Sequence, residues 1–369
     1  MSRIVAMFAL FLIFAFPASA AGLVEEDISL PVSFGEGRRA VTLSLEALVV
    51  RPDDGKAHPL VVLSHGAPRK AEDRDGMHAR AQMSKAREFA RRGWVAVAVM
   101  RRGYGRSEGE YVESSGKCND PDYLAAGRIS ADDIRQTIVA MAKMPYVDAS
   151  KVISVGQSAG GFATVALTAD PPPGLVAAIS FAGGRGSAKP DEVCTPDRLV
   201  EAFRAFGKTS RIPMLWVYTE NDRFFGPRLS RRFHAAFTEA GGRAQFIAAP
   251  AFGEDGHLLF STKGASIWVP YVEQFLAAQT LTQFARPLPP RNDRDISYPR
   301  GLSEKGKVAF RDYLDAAGHK AFSLSSTGAY GWKSGRRISD EAVEMAVEIC
   351  AKYSSRHCYT VMVDDEAVQ

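Results

Sequence analysis

Apolar, β-branched runs alternate with segments of helical periodicity from about residue 58 to residue 280, and this alternation constrains the fold more than any other feature. The runs are PLVVLSHG (59–66), WVAVAVM (94–100), VISVG (152–156), LVAAISFAG (175–183), PMLWVYT (213–219) and AQFIAAP (244–250). Continuously apolar runs are typical of parallel strands that are covered on both faces. The helical segments are 78–93, 130–144 and 228–242, and Ser130 is predicted to be the N-cap of the second. The sequence therefore predicts a doubly wound, mostly parallel α/β sheet.

The segments on either side of this region have a different pattern. Ahead of it, ISLPVS and AVTLSLEALVV alternate apolar and polar residues, which predicts an antiparallel hairpin at a sheet edge. Residues 286–300 are rich in proline and charge and predict a linker. Residues 301–369 contain helical and strand patterns in turn. The predicted organisation is a main domain over 21–285, a linker over 286–300 and a small α+β domain over 301–369.

The first twenty residues have the layout of a secretory signal peptide. Arg3 precedes an apolar run from Ile4 to Phe16, and the small residues Ala18, Ser19 and Ala20 follow Pro17. This run has 13 residues, whereas a bilayer-spanning helix needs about 20. A retained N-terminal anchor is the alternative. The expectation is cleavage after Ala20, release to the periplasm or the exterior, and no stable membrane insertion afterwards.

Export gives the four cysteines a structural interpretation. Cys118, Cys194, Cys350 and Cys358 follow the predicted cleavage site, and an oxidising compartment favours disulfides. Three connectivities are possible for four cysteines. The spacing favours Cys118 with Cys194 in the main domain and Cys350 with Cys358 in the C-terminal domain, where a staple suits so short a unit. Zinc is the rival, but no CxxC pair is present, and no metal is predicted.

Composition and charge exclude some classes of function. Apolar residues make up 46% of the chain, which is enough for a sizeable core, and the formal net charge is only +4. The chain has no long basic run of the kind that would suggest a nucleic-acid partner. The glycines of RRGYGRSEG, at 103, 105 and 109, are spaced unlike a dinucleotide-binding motif and no helix is expected after them, so no cofactor is predicted. Oligomeric state is left open.

Three arginines of the same segment have two interpretations. Arg101, Arg102 and Arg106 follow a predicted strand and could attract an anionic substrate to the active edge of the sheet. Alternatively they pair with acids such as Glu108 and shape their own loop. The second interpretation is favoured.

A reactive serine is indicated at residue 158. Gly156, Gln157, Ser158, Ala159 and Gly160 form a GxSxG sequence between a buried strand and a helix, which is the context of a nucleophile elbow. The tight turn projects the serine from the carboxyl end of its strand, and the helix N-terminus stabilises an oxyanion there.

Such a serine needs a histidine as base and an acid to orient it, in the chain order serine, acid, histidine. His257 lies in a loop after the last core strand, whereas His234 is in a predicted helix and His319 and His357 are in the C-terminal domain. Asp222 follows the preceding strand and is the preferred acid, with Glu220 and Asp255 as reserves.

The oxyanion hole requires two backbone donors. One is predicted to be the N–H group of Ala159, and the other to come from Gly66 or Ala67 in the loop after the first parallel strand. His65 is interpreted as a residue that shapes this loop.

Residues 24–285 resemble the α/β-hydrolase superfamily through LSHGAP, MRRGYGRSEG, GQSAGG, ENDRFF and DGH, in that order. Within it, the chain is similar to dienelactone hydrolases, although these usually carry cysteine at the nucleophile position, and to serine peptidases of the same fold. The resemblance implies an α/β-hydrolase fold and a small ester or short peptide as substrate. The predicted function is an exported serine hydrolase of carboxylic esters. The alternatives are a peptidase or amidase with the same mechanism, and a binding protein whose elbow is blocked by the segment 184–211.

Overall fold

The structure is a computed structural model that describes residues 22–35, 37, 40–289, 298–316, 318–364 and 366–368. The predicted signal peptide (1–20) and the middle of the predicted linker (290–297) lie outside the described residues.

The described chain contains one large sheet. Its strands are β1 (Leu23–Phe34), β2 (Val41–Pro52), β3 (His58–Ser64), β4 (Val95–Val99), β7 (Val147–Gln157), β8 (Leu175–Phe181), β11 (Met214–Thr219) and β12 (Ala244–Ala249). Short hairpins lie in its loops: β5 (Gly116–Lys117) with β6 (Asp120–Pro121), and β9 (Ser187–Lys189) with β10 (Glu192–Val193).

The strand order of the sheet is β1-β2-β4-β3-β7-β8-β11-β12. In this sheet, parallel pairing joins β4 to β3 and continues through β7, β8 and β11 to β12. The pairs β1–β2 and β2–β4 are antiparallel. The buried parallel sheet and the antiparallel edge hairpin predicted from the sequence are both confirmed. Because parallel strands end at the same edge, the loops after β3, β7, β11 and β12 gather on one side of the molecule.

Helices cover both faces of this sheet. They are α1 (Met83–Ala90), α2 (Tyr123–Met141), α3 (Ala159–Thr168), α4 (Pro196–Gly207), α5 (Pro227–Glu239) and α6 (Ala265–Ala278). Side chains of α1 and α6 share one core with the sheet, including Phe89 and Trp268. Side chains of α2 to α5 form the core on the other face, including Phe162 and Phe203. This two-sided packing is the doubly wound arrangement.

The predicted start of α2 was wrong. The helix begins at Tyr123, and its N-cap is Asp122, whose carboxylate accepts from the N–H group of Ala125 (2.9 Å). Ser130 is buried inside the helix, and its hydroxyl donates to the carbonyl of Ala126 (2.8 Å). A serine that bonds back one turn is compatible with a helix interior, so Ser130 did not mark a start.

The C-terminal part combines α7 (Glu304–Asp315), β13 (Ala321–Ser325), β14 (Tyr330–Lys333), α8 (Ser339–Ala351), β15 (Cys358–Val363) and β16 (Glu366–Ala367). Its sheet order is β14-β13-β15-β16, and Cys350 is bonded to Cys358. A small α+β unit with its own disulfide is therefore present, as predicted.

This C-terminal unit contacts the main domain at β1, at α1 and at Met77 in the segment before α1. His319 Nε2 lies 3.7 Å from Asp27 Oδ2, and Arg87 donates to the carbonyl of Ala316 (3.0 Å). Arg337 donates to the carbonyl of Met77 (3.2 Å). The domain boundaries at 285 and 301 stay predictions. No helix within the described residues combines the length and apolar character needed to cross a membrane.

Candidate active site

Ser158 occupies a strained turn between β7 and α3. Its backbone has φ 57° and ψ −122°, a positive φ that side-chain-bearing residues rarely adopt. The turn is held because the N–H group of Ser158 donates to Phe181 O (3.0 Å), and Ser158 O accepts from Gly184 (3.1 Å). The serine is therefore fixed at the carboxyl end of the central strand, where the sequence predicted it.

Glycine is required on both sides of this turn. A Cβ at Gly156 would lie 2.1 Å from the carbonyl oxygen of Gly160, and a Cβ at Gly160 would lie 2.1 Å from that of Ser64. Both contacts are with backbone atoms, which cannot move aside. The GxSxG spacing thus lets α3 begin directly against β3 and β7, and Ala159 is the first residue of that helix.

His257 and Asp222 are in contact. The Nδ1 atom of His257 lies 3.2 Å from both carboxylate oxygens of Asp222, and both side chains are buried. Asp222 Oδ1 also accepts from the N–H groups of Phe224 (2.7 Å) and Phe225 (2.9 Å), which fixes the carboxylate in the loop after β11. Phe224 stacks on the His257 ring with 3.8 Å between centroids. An imidazole held at Nδ1 by a carboxylate keeps Nε2 available for a proton from a nucleophile.

The elbow and the histidine loop are joined by Gln157, the residue before the serine. Its Nε2 donates to the carbonyl of His257 (2.9 Å), and its Oε1 accepts from the buried Lys85 (3.2 Å). Burial lowers the pKa of Lys85 to about 8. Lys85 and Gln157 therefore position the histidine loop beside Ser158.

The two reserve acids have other positions. Asp255 accepts from the N–H groups of His257 (3.0 Å) and Arg223 (3.1 Å), so it caps the short 3-10 turn Gly256–Leu258. Glu220 is exposed. Asp222 is thus the predicted acid that contacts the imidazole, and its catalytic role stays a prediction.

The loop after β3 approaches the serine closely. A Cβ built at Gly66 would lie 3.1 Å from Ser158 Cβ and 3.7 Å from its Oγ, so glycine permits this approach. Ala67 and Ala159 line the same cavity as Ser158. At the start of α3, the N–H group of Ala159 has no partner within its helix. The residues predicted to supply the oxyanion donors therefore lie beside Ser158, and their role as donors stays a prediction.

His65 braces this loop as a neutral imidazole. Its Nε2 accepts from the N–H group of Arg101 (3.1 Å), and its Nδ1 therefore carries the hydrogen that is donated to Gly66 O (2.6 Å). Burial, together with the charge of Arg101, lowers the pKa of His65 to about 3.

A buried ionic cluster lies behind the loop. Glu113 accepts from Arg101 (2.6 and 3.1 Å), Arg185 (2.6 Å) and Tyr104 (2.6 Å). Burial opposes ionisation of Glu113, but the two guanidinium groups outweigh it and hold its pKa well below the usual range. Arg101 also donates to His65 O (2.8 Å), so the cluster fixes the position of the loop after β3, which contains Gly66 and Ala67.

The interpretation of the loop arginines as structural fits two of the three. Arg101 binds Glu113 and Arg102 binds Asp133 (2.5 Å), so neither binds the expected Glu108. The Glu108 carboxylate accepts from the N–H group of Ser44 (2.8 Å).

A cavity of about 180 Å³ opens at Ser158. Its wall includes Arg69, Tyr111, Arg185 and Phe224, and no aspartate or glutamate is among its described lining residues. A cavity of about 550 Å³ between α1 and α6 is larger, but its lining contains none of the predicted catalytic residues. The smaller one is the candidate substrate site because it holds the nucleophile.

The segment 184–211 forms part of this wall, since Gly184 to Ser187 line the cavity. The segment is tied to the loop after β4 by the disulfide between Cys118 and Cys194, which is the pairing predicted. Cys194 N donates to Gly186 O (2.9 Å), which connects the disulfide directly to the wall.

We expect the Cys118→Ser/Cys194→Ser variant to stay folded but to melt roughly 5–15 °C lower, because the 76-residue separation gives about 4–5 kcal/mol by loop entropy. Its KM should rise because the cavity wall loosens. Calorimetry and steady-state kinetics measure both effects. The Cys350→Ser/Cys358→Ser variant is the matched control and should keep the KM. Equal KM values in the two variants would contradict the link to the cavity.

A second prediction concerns acid stability. With a folded pKa of about 3 and an unfolded pKa of about 6.5, His65 binds a proton only in the unfolded chain between these values. The free energy of unfolding must then fall as the pH falls through this window, by about 1.4 kcal/mol per unit from His65. Urea unfolding at pH 6.5, 5.5 and 4.5 should show a shallower dependence in His65→Gln. His357→Gln, at an exposed histidine, should keep the original slope, and parallel slopes in all three proteins would refute the prediction.

Within the described part of the chain, no group of three or more His, Cys, Asp or Glu side chains is placed to hold a metal ion.

Nucleophile, acid and histidine follow the parallel strands β7, β11 and β12 in the order serine, acid, histidine, which is the order of α/β-hydrolases. The protein is a serine hydrolase of the α/β-hydrolase fold, which confirms the predicted resemblance. Residues 42–228 match the model of the X-Pro dipeptidyl-peptidase (S15) family, and the chain belongs to this family. The match includes Ser158 and Asp222, whereas His257 follows it.

Several solved structures are similar to the chain. An esterase of Pyrococcus furiosus is 12% identical with a TM-score of 0.48, covering 69% of this chain and 90% of that one. A Klebsiella pneumoniae subsp. pneumoniae protein assigned as a dienelactone hydrolase is 18% identical with a TM-score of 0.49, covering 69% and 98%. A puromycin-hydrolyzing peptidase of Mycobacterium tuberculosis is 17% identical with a TM-score of 0.46, covering 70% and 40%. No curated protein matches the chain.

Proposed function

We propose that the protein is an exported serine esterase that hydrolyses carboxylic esters with a short acyl group. Ser158 Oγ adds to the ester carbonyl while His257 accepts its proton, and Asp222 orients the imidazolium. The carbon–oxygen bond to the alcohol breaks, and the alcohol leaves with that proton. Water then cleaves the acyl-enzyme by the same steps, which releases the acid and restores Ser158.

The charge of the cavity carries this proposal. A dipeptidyl-peptidase acts at a free amino terminus, so its substrate presents an ammonium group that a carboxylate would have to bind. The described lining of the cavity at Ser158 contains Arg69 and Arg185 but no carboxylate. The carboxylate of Glu113, the nearby acid, already accepts hydrogen bonds from two guanidinium groups and a tyrosine. An ester without a cationic group suits this environment better.

The size of the cavity supports a short acyl group. It measures about 180 Å³, and an apolar cavity of about 150 Å³ holds one benzene molecule. Export is supported by the leader-like pattern of residues 1–20 and by the two disulfides.

The second candidate is a peptidase, which membership of the S15 family favours. Three substrates separate the candidates: 4-nitrophenyl butyrate, Gly-Pro-4-nitroanilide and its N-acetylated form. We expect turnover of the butyrate and labelling of Ser158 by a fluorophosphonate, with Ser158→Ala as the control for both. Efficient hydrolysis of Gly-Pro-4-nitroanilide, lost on N-acetylation, would instead establish the peptidase. Failure of the fluorophosphonate to label the protein would favour the non-catalytic binding protein.

A further inference from the structure

We propose that the cavity at Ser158 contains a carboxylate-binding subsite formed by Arg69 and Arg185, and that the preferred substrates are esters bearing a carboxylate. This inference rests on the proposed esterase function and adds the substrate class to it.

Arg69 has the position and the spare hydrogen-bonding capacity for this role. Its guanidinium lies over the Phe224 ring at 3.8 Å, and its Nη2 donates to Ser187 Oγ (3.2 Å). None of the ion pairs found among the described residues includes Arg69. Phe224 stacks in turn on His257. The guanidinium of Arg69 is therefore held near the predicted catalytic histidine, and its remaining N–H groups can bind an anion.

Arg185 adds a second positive charge to the wall of the cavity. Its terminal nitrogens bind Glu113, but its Nε–H group is buried without a hydrogen-bond acceptor although Arg185 lines the cavity. Because this nitrogen has almost no accessible surface, a ligand in the cavity is attracted by the positive charge of Arg185 rather than by a hydrogen bond to this N–H group. The cluster behind it has two guanidinium groups, Arg101 and Arg185, and one carboxylate, Glu113. Its excess positive charge therefore also favours an anion.

The acids of the neighbouring hairpin do not cancel this charge. Asp191 is paired with Arg223 (3.3 Å) and Glu192 with Lys189 (2.9 Å). Both pairs lie outside the described cavity lining. A carboxylate on the substrate thus meets an arginine whose charge is not neutralised locally.

The test compares esters that differ only in a carboxylate. The kcat/KM for mono-4-nitrophenyl glutarate is divided by that for 4-nitrophenyl pentanoate, after subtraction of each ester's spontaneous hydrolysis. A second arm compares 4-acetoxybenzoate with its methyl ester, which places the carboxylate on the alcohol side. We expect a ratio of at least about 10 in one arm, as one charge-assisted hydrogen bond gives. The ratio should decrease in concentrated NaCl because of screening.

Substitutions then assign the preference. Arg69→Gln should bring the ratio close to 1, and Arg69→Lys should retain part of it. Arg223→Gln removes the same charge from an adjacent loop outside the cavity and should keep the full ratio. A ratio near 1 in both arms of the unmodified enzyme, or a preference that survives in Arg69→Gln, overturns the subsite while the esterase stands. The absence of turnover of every ester refutes the proposed function itself.

Discussion

Replacing Ser158 or His257 by alanine is expected to lower kcat for ester hydrolysis by about 10³-fold or more, since the members of a catalytic triad act as a unit. Asp222→Asn should lower kcat by a smaller factor than either alanine substitution, because the serine and the base remain. Each variant should melt close to the unmodified protein, so that circular dichroism separates lost chemistry from lost folding.

The reserve acids provide matched controls for this experiment. Glu220 is exposed and Asp255 caps the turn that carries His257, so Glu220→Gln should be silent and Asp255→Asn should have a small effect. If Asp222→Asn is silent while one of these two abolishes turnover, the acid has been assigned incorrectly.

Glu113→Gln should destabilise the protein by about 3–5 kcal/mol, the cost of removing one partner of a buried ion pair. The carboxylate accepts from two buried guanidinium groups, and without it Arg101 and Arg185 keep their charges in an environment from which water is excluded. Because the same cluster supports the loop after β3, which contains the predicted oxyanion donors, kcat should also fall. Urea unfolding and steady-state kinetics measure the two effects.

Glu110→Gln removes a carboxylate from the same loop at an exposed position and should change the stability by less than about 0.5 kcal/mol. Equal midpoints of unfolding for Glu113→Gln and Glu110→Gln would show that the buried cluster contributes little.

The main sheet could be predicted because its signals are local. Each parallel strand is a short apolar run, and Gly156 and Gly160 mark the turn between β7 and α3. The meeting of Asp222 and His257 could be predicted as well, since strand order and the parallel direction bring their loops to one edge.

The walls of the site could not be predicted in this way. Glu113 and Arg185 are 72 residues apart and meet only through the packed fold, and the stacking of Arg69 on Phe224 joins loops after different strands. Charged residues in loops are usually solvated, so nothing in the sequence distinguished these from the rest. Ser130 shows the opposite error, because a residue that commonly caps helices proved to be buried within one.

One of the two outermost strands of the large sheet, β1, has a consequence for how separate molecules behave toward one another. It is paired on one side only, and a long unpaired edge can recruit a strand from a second molecule. Its residues Glu25 and Asp27 are bound by Arg87 and Arg80, and His319 of the C-terminal unit lies against Asp27. An incoming strand would have to displace these charged groups. A shortened chain that lacks the C-terminal unit would therefore be more prone to aggregate edge to edge at high concentration, even if each molecule still folded.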